Sequence, residues 1–249
     1  ATLALHRFVL PNDFFNHIIN DKITVLPIMP INITDMFDED SHRLPSPELL
    51  KNVRIITSSG GNVTAKMITD IEKYFVGAKF FSMHGLTEAF RSTYLEPSQL
   101  KIRPESIGKA IPDVELYVID ANGNECLPRV VGELIHRGGY IYKGFWNAPL
   151  VTEQRFKSID ILKNVINLEG QLTDEIVVKT GDYVYKDEEG YFYFVSRHDD
   201  MIKTRGFRVN PYEIESVVEK NIKEIEKCAV FSIQNEEIEE EIVLAYSAK

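Results

Sequence analysis

From Val114 onward the apolar residues recur at every second position, and that period restricts the fold more than any other feature of the chain. VELYVID (114–120), GELIHR (132–137), EIVVKTGDYVYK (175–186) and YFYFVSR (191–197) all alternate in this way. Period two turns one side of an extended chain to a core and the other to solvent, so these segments read as strands of a small antiparallel sheet or barrel. The DEEG at 187–190 supplies the hairpin turn between the last two.

Upstream the pattern differs. Phe14, Phe15, Ile18 and Ile19 have helical spacing, and Pro27, Pro30, Pro45 and Pro47 then punctuate what reads as a loop. VRIITSSGG (53–61) is a short β-rich run ending in a Ser/Gly turn. Thr64 can cap a helix running to about Phe75, with Met67, Ile68 and Ile71 on one face. AKFFSMHG (78–85) reads as a second buried strand. Strand, helix, strand is the signature of an α/β layer. Near the other end, Asn210 can cap a helix with Pro211 at its first position and Ile214, Val217 and Val218 as its buried stripe. Charged residues crowd 197–200, which suits a boundary between a larger unit and a smaller one. The acidic run 236–241 reads as a solvated turn before the strand EIVLAYS.

The chain has 249 residues, 44% of them apolar, enough for a large domain and the start of a second. Its net charge of −10 argues against duplex nucleic acid or an anionic membrane as partner. A nucleotide remains compatible, because phosphate sites are local. Cys126 and Cys228 stand far apart and in no metal-type spacing, which argues against a disulfide framework or a zinc site and fits a reducing compartment. No apolar run approaches the ~20 residues of a membrane span, and no signal peptide opens the chain. The expected location is the cytoplasm. The first residue is Ala1 and not Met, which suggests a missing upstream piece.

Three stretches carry more information. MHGLTEAF (83–90) closes a strand, with Gly85 allowing close backbone approach, Thr87 a hydroxyl for a phosphate oxygen, and Glu88 a hard oxygen for Mg²⁺. Alone, it reads equally as a strand-end turn. VGELIHRGGYIYKGFWNAPLVTEQRF (131–156) reads as packing, through its glycines, Trp146 and Pro149. In the third stretch, 179–216, Thr180, Gly181 and Asp182 place a carboxylate at a tight turn, where it can accept both hydroxyls of a ribose. Arg197 follows with donors suited to sugar or phosphate oxygens, and Lys203, Arg205 and Gly206 form a basic loop. Taken singly, Asp182 could equally cap the turn and pair with Arg197.

In order and together, HGLTE, then GEL with its following glycines and GFW, then TGD and SRHDDMIKTRGFRVNPYEIE resemble the adenylate-forming superfamily, which includes acyl-CoA synthetases, nonribosomal-peptide adenylation domains and beetle luciferases. The resemblance covers most of the chain from about Ser58. It implies an α/β fold: residues 1–198 would be the C-terminal portion of a large adenylation domain, an α/β layer plus a small antiparallel β-barrel. Residues 199–249 would begin a small mobile α+β domain. It also implies roles. Ser59, Gly60 and Gly61 would line the adenine pocket, and His84 and Gly85 would flank it, His84 standing where the family usually has a tyrosine that stacks on adenine. Thr87 would hold a phosphate, Glu88 the Mg²⁺, and Asp182 with Arg197 the ribose. Asp199 would be the hinge, and Lys203 and Gly206 would serve the thioester-forming pose.

The implied activity is attack of a carboxylate on the α-phosphate of MgATP, followed by transfer of the acyl group from AMP to CoA or to the phosphopantetheine of a carrier protein. MHGLTEAF is closer to the acyl-CoA synthetase and acyl-AMP ligase branches than to the peptide-synthetase form, which often has proline at the position of Leu86. Two rivals remain open: a domain loading amino or aryl acids onto a carrier protein, and a non-catalytic nucleotide-binding module. Ser196 replaces the usual glycine and Phe145 a frequent tyrosine, and residues 157–178 are expected to form a surface excursion. The phosphate-cradling TSG-type loop and the PxxxxGK-type lysine segment are not found, and Lys249 is no match for the latter. By the resemblance, this chain alone would be a poor catalyst or none.

Overall fold

The computed structural model describes residues 2–5, 11–37, 44–61, 63–170, 174–197, 201–204, 207–235 and 239–248. Strands β1 (Val25–Ile28), β2 (Ile55–Ser58) and β3 (Lys79–His84) pair in parallel, with Leu26 opposite Ile56 and Ile56 opposite Phe80. Helix α4 (Ala65–Tyr74) makes the crossover from β2 to β3, as its spacing predicts. Thr64 Oγ1 caps it by accepting from the Met67 amide at 3.3 Å, and Ile68, Ile71 and Phe75 are buried beneath it.

The proline-punctuated segment is more structured than a loop. It holds β1, α2 (Pro30–Met36) and α3 (Pro47–Leu50), which with α1 (Pro11–Asn20) cover the parallel strands. Three of the four prolines that suggest a loop stand where proline is tolerated: Pro30 and Pro47 at the first position of a helix, whose amide has no intrahelical partner, and Pro27 in β1 at the end of the sheet; Pro45 lies in the coil before α3. Ile33, Met36 and Leu50 from these helices are among the most buried side chains.

The alternating segments form the expected strands: β6 (Val114–Ile119), β7 (Gly132–Gly138), β9 (Ile176–Lys186) and β10 (Phe192–Arg197). They continue the parallel part through β4 (Thr93–Leu95) and β5 (Ser106–Ala110), in one 10-stranded sheet with nine strands in the order β1-β2-β3-β4-β5-β10-β9-β7-β6 and a tenth, at 156–158, paired to β9 off this path. The turn at 187–190 is tied by buried Asp187. Its Oδ1 accepts from the amides of Glu189 (3.0 Å) and Tyr191 (2.9 Å), and its Oδ2 from Tyr193 (3.1 Å) and Arg103 (3.2 Å).

Residues 157–178 correct an expectation. Part of this segment is core: β8 (Phe156–Ser158) pairs with β9, and a 3₁₀ turn, Ile159–Leu162, buries both of its terminal residues against Ile119, Ile135 and Val177. In a 3₁₀ turn, positions three apart fall on one side, so Ile159 and Leu162 point inward together.

A second, 4-stranded sheet holds β11 (Ile202–Thr204), β12 (Phe207–Val209), β13 (Ile225–Asn235) and β14 (Glu239–Ala248), in the order β12-β11-β14-β13. Helix α6 (Pro211–Asn221) lies on β13, capped by Asn210 Oδ1 accepting from the Tyr212 amide at 3.0 Å. Its buried stripe is narrower than the sequence suggests. Ile214 and Val218 are half-buried, but Val217 is exposed, and Glu215 reaches back to the Val230 amide at 2.7 Å. EIVLAYS lies in β14, while 236–238 fall outside the described residues. Among the described residues, no helix is long and apolar enough to cross a membrane.

Candidate functional site

The parallel strands bring two glycine-bearing turns to one edge. Ser58 at the end of β2 is level with Ser82 in β3, so Gly60 and Gly61 follow one strand where His84 and Gly85 end the next. Ligands of open α/β sheets sit outside these carboxyl ends. Gly60 has φ +87°, a conformation that side chains disfavour, and runs beside Met29.

After β3 the chain loops out and returns as β4. The Ser92 amide closes the loop on His84 O at 2.9 Å, and a Cβ on Gly85 would lie 2.7 Å from the Arg91 backbone nitrogen, so only glycine fits. Within the loop the Leu86 amide turns toward Ala89 O at 3.4 Å, which places Thr87, exposed, and Glu88, half-buried, at its tip. Among the described residues, no three His, Cys, Asp or Glu side chains group as a metal cluster. At the loop tip Glu88 offers a single hard carboxylate oxygen donor.

Asp182 meets this edge from β9. Gly181 before it has φ +73°, and a Cβ there would lie 1.8 Å from Arg155 Nη1. Arg155, at the end of α5 (Pro149–Arg155), donates through that nitrogen to Thr180 O at 3.0 Å. Thr180 Oγ1 donates to Leu134 O (2.8 Å) and accepts from the Asp182 amide (3.0 Å). Residues 180–182 are thus not the tight turn that the sequence suggests but an irregular point within β9, where its pairing with β7 shifts register.

The Asp182 side chain is only 1% exposed. His84 Nε2 lies 2.9 Å from its Oδ2, and Arg197 Nε, on the facing residue of β10, lies 3.3 Å from its Oδ1. Neither approach is aligned as a hydrogen bond: both carboxylate oxygens are shielded from solvent and accept none, and His84 Nδ1 is likewise buried and unpartnered. The distances record charge proximity, while the carboxylate lone pairs are left without a hydrogen-bond donor. The Arg197 side chain is 60% exposed, so its attraction is largely screened. The ring of Phe194 lies 6.1 Å from that of His84.

The structure thus brings His84, Gly85, Asp182 and Arg197 together, with Thr87 and Glu88 on the adjoining loop. Lys203 lies in β11 of the second sheet, its backbone opposite Arg208. Asp199 and Gly206 lie outside the described residues. Sequence reasoning missed Arg155, for which no local signal exists, and the buried pair of Ser92 and His136, whose hydroxyl and ring meet at 3.0 Å. A hint was present for His136, a titratable residue directly after Leu134 and Ile135 in a strand.

A profile of the AMP-binding enzyme family matches residues 1–146. An uncharacterized acyl–CoA ligase of Bacillus subtilis is 33% identical over 192 residues, covering 76% of this chain and 32% of its own length. A long-chain-fatty-acid–CoA ligase of Escherichia coli is 32% identical over 163 residues, 66% of this chain and 26% of that protein. A linear gramicidin synthase polypeptide of Brevibacillus parabrevis is 32% identical over 162 residues, 65% of this chain and 3% of that protein. The chain therefore spans a minor part of the relatives it matches. In fold it is similar to ATP-bound MatB from Rhodopseudomonas palustris, at TM-score 0.73 and 22% identity, over 96% of this chain and 43% of that one. It is similar also to an o-succinylbenzoate–CoA synthetase from Bacillus subtilis in complex with ATP and magnesium, at TM-score 0.72 and 22% identity, over 98% and 46%.

Proposed function

Since the chain belongs to the AMP-binding enzyme family, we propose that its site serves an ATP-dependent activation of a carboxylic acid through an acyl-adenylate, with transfer of the acyl group to a thiol. The observation that carries this reading is the Asp182 carboxylate, buried with neither oxygen hydrogen-bonded. Burying an anion without hydrogen bonds is costly, and natural structures rarely leave such groups orphaned. Two vicinal hydroxyls are donors that would satisfy both oxygens at once, which suits a ribose that displaces the exposed Arg197 and the His84 ring from the covered carboxylate.

In this reading, Gly60, Gly61 and Gly85 let backbone approach the base, the His84 ring faces it, and Arg197 assists Asp182. Thr87 donates to a phosphate oxygen. Bound Mg²⁺ would be held by Glu88 and would neutralise phosphate charge. The acid needs no general base, because a carboxylate is already ionised at neutral pH. What the protein must do is bring two anions together and hold the α-phosphorus in line with the attacking oxygen, which is positioning and electrostatics. Pyrophosphate leaves, and a thiol of CoA or of a carrier protein's phosphopantetheine takes the acyl group. We place the division between the large and small domains at 198/199, with Asp199 as hinge and with Lys203 and Gly206 serving the thiol step, in the cytoplasm. Relatives named as CoA ligases and as peptide synthetases both support the coarser chemistry and leave the thiol open.

The test is acid-dependent exchange of pyrophosphate into ATP against fatty, aryl and amino acids, by the gene product that contains this chain, with Asp182→Ala as control. Exchange with one acid class, lost in the variant, is expected. Nucleotide binding without exchange for any acid would support a non-catalytic nucleotide module instead.

A further inference from the structure

His136, in β7, stands between two chain segments that meet at Glu88, and it is fully buried. Its Nδ1 lies 3.0 Å from Ser92 Oγ, at the end of the 85–91 loop, and its Nε2 lies 3.1 Å from Gly139 O, at the start of 139–142. A carbonyl can only accept, so Nε2 carries the proton and donates to it, and Nδ1 accepts from the Ser92 hydroxyl. One ring thereby ties the bases of both segments. Further out the segments pair through their backbones: the Phe90 amide donates to Tyr140 O at 3.1 Å, the Tyr142 amide donates to Glu88 O at 3.0 Å, and Ala89 faces Ile141.

Each segment also contains a non-glycine residue in the left-handed region, directly beside the atom His136 holds. These are Arg91 at φ 60°, before Ser92, and Tyr140 at φ 67°, after Gly139. Such backbone persists only where its surroundings over-determine it. Packing beside Leu134 and Ile135 would be served by an aliphatic side chain. Two hydrogen bonds of opposite polarity are not.

We infer that His136 is a positioning residue: its imidazole, bridging Ser92 and Gly139, sets the loop that presents Thr87 and Glu88 to the phosphates and Mg²⁺ of a bound nucleotide. The ligand in this statement rests on the proposed function; the bridge does not. A carboxamide can reproduce both bonds, donating through Nε2 and accepting through Oε1, and an aliphatic side chain can reproduce neither.

The test compares His136→Leu, His136→Gln and Ser92→Ala with the wild-type chain. Amide hydrogen exchange at Phe90 and Tyr142 reads the bridge, and calorimetric titrations with MgATP and with magnesium-free AMP read its consequence. In His136→Leu and Ser92→Ala the two amides should exchange faster and MgATP binding should weaken about tenfold, while AMP binding changes less than about twofold and His136→Gln restores both readouts. A leucine variant with wild-type exchange, or one that weakens AMP as much as MgATP, overturns the inference. Should His136→Leu fail to fold, Ser92→Ala decides by the same criteria. Should the wild type bind neither nucleotide, the nucleotide reading fails, and unchanged exchange at Phe90 and Tyr142 would then separately refute the bridge.

Discussion

His84 Nε2 and Asp182 Oδ2 lie 2.9 Å apart, yet the carboxylate accepts no hydrogen bond from the ring. A buried charge left in this condition is a debt carried by the fold, and removing it should help stability while harming binding. Asp182→Asn is expected to melt at or above the wild-type temperature, a gain of about 0–1 kcal/mol, and to bind AMP at least about tenfold more weakly. Thermal melting and calorimetry on the same sample check both halves. A variant that loses stability would mean that Asp182 is a structural group.

Gly181 and Arg155 should be coupled. Alanine at Gly181 meets two costs: left-handed backbone, about 1 kcal/mol, and displacement of Arg155 from Thr180 O, about 1 kcal/mol more. In an Arg155→Ala background only the first remains, because the nearest atoms to the new Cβ all belong to Arg155. A double-mutant cycle by urea denaturation should therefore show a coupling of about 1 kcal/mol. Additive effects would mean that Arg155 simply moves aside.

Asp187 gathers four hydrogen bonds at the 187–190 turn, from two backbone amides, Tyr193 and Arg103. Asp187→Ala should cost about 2–4 kcal/mol, with nucleotide affinity little changed in the folded fraction. Asp187→Asn should recover part of that loss, since its amide oxygen can still accept from the backbone. Urea denaturation of the two variants beside wild type checks the order.

Burial pushes the His136 imidazole below its ordinary value of 6.5; the hydrogen bond to Gly139 O opposes this shift, and the nearby His84 adds to it. Between the folded and unfolded values the unfolded chain binds more protons, so stability rises with pH across that window. The contribution is complete above the unfolded value and is lost as pH falls below it toward the folded one. The melting temperature of wild type relative to His136→Gln should therefore fall as the pH is lowered from about 8 to about 5. A difference independent of pH would contradict the assignment of a buried neutral ring.

Much of the fold was legible because period two and strand-end glycines are local signals. The four alternating segments and the Thr64-capped helix lie where the residues place them. The helices α2 and α3 were hidden because proline breaks a helix interior and starts a helix equally well, and only the packing of Ile33, Met36 and Leu50 distinguishes the two. Ile159 and Leu162 were hidden by a tight turn whose period of three is too short to register. In the site, the motifs single out Asp182, His84 and Arg197, and the fold brings these three side chains together. That Asp182 is sealed from water by groups that fail to bond it is a matter of angles, which no sequence records. His136 was legible only as a hint: alternation places it on the face of Leu134, but its partners Ser92 and Gly139 are joined to it only through the sheet.

The most direct test is a calorimetric titration of the chain with AMP and with 2′-deoxy-AMP, in wild type and in Asp182→Asn. If the Asp182 carboxylate receives the ribose, wild type binds AMP about tenfold more tightly than the deoxy analogue, and the asparagine variant loses that preference. Equal affinity of the wild type for both nucleotides, or a preference that survives in Asp182→Asn, would contradict the account.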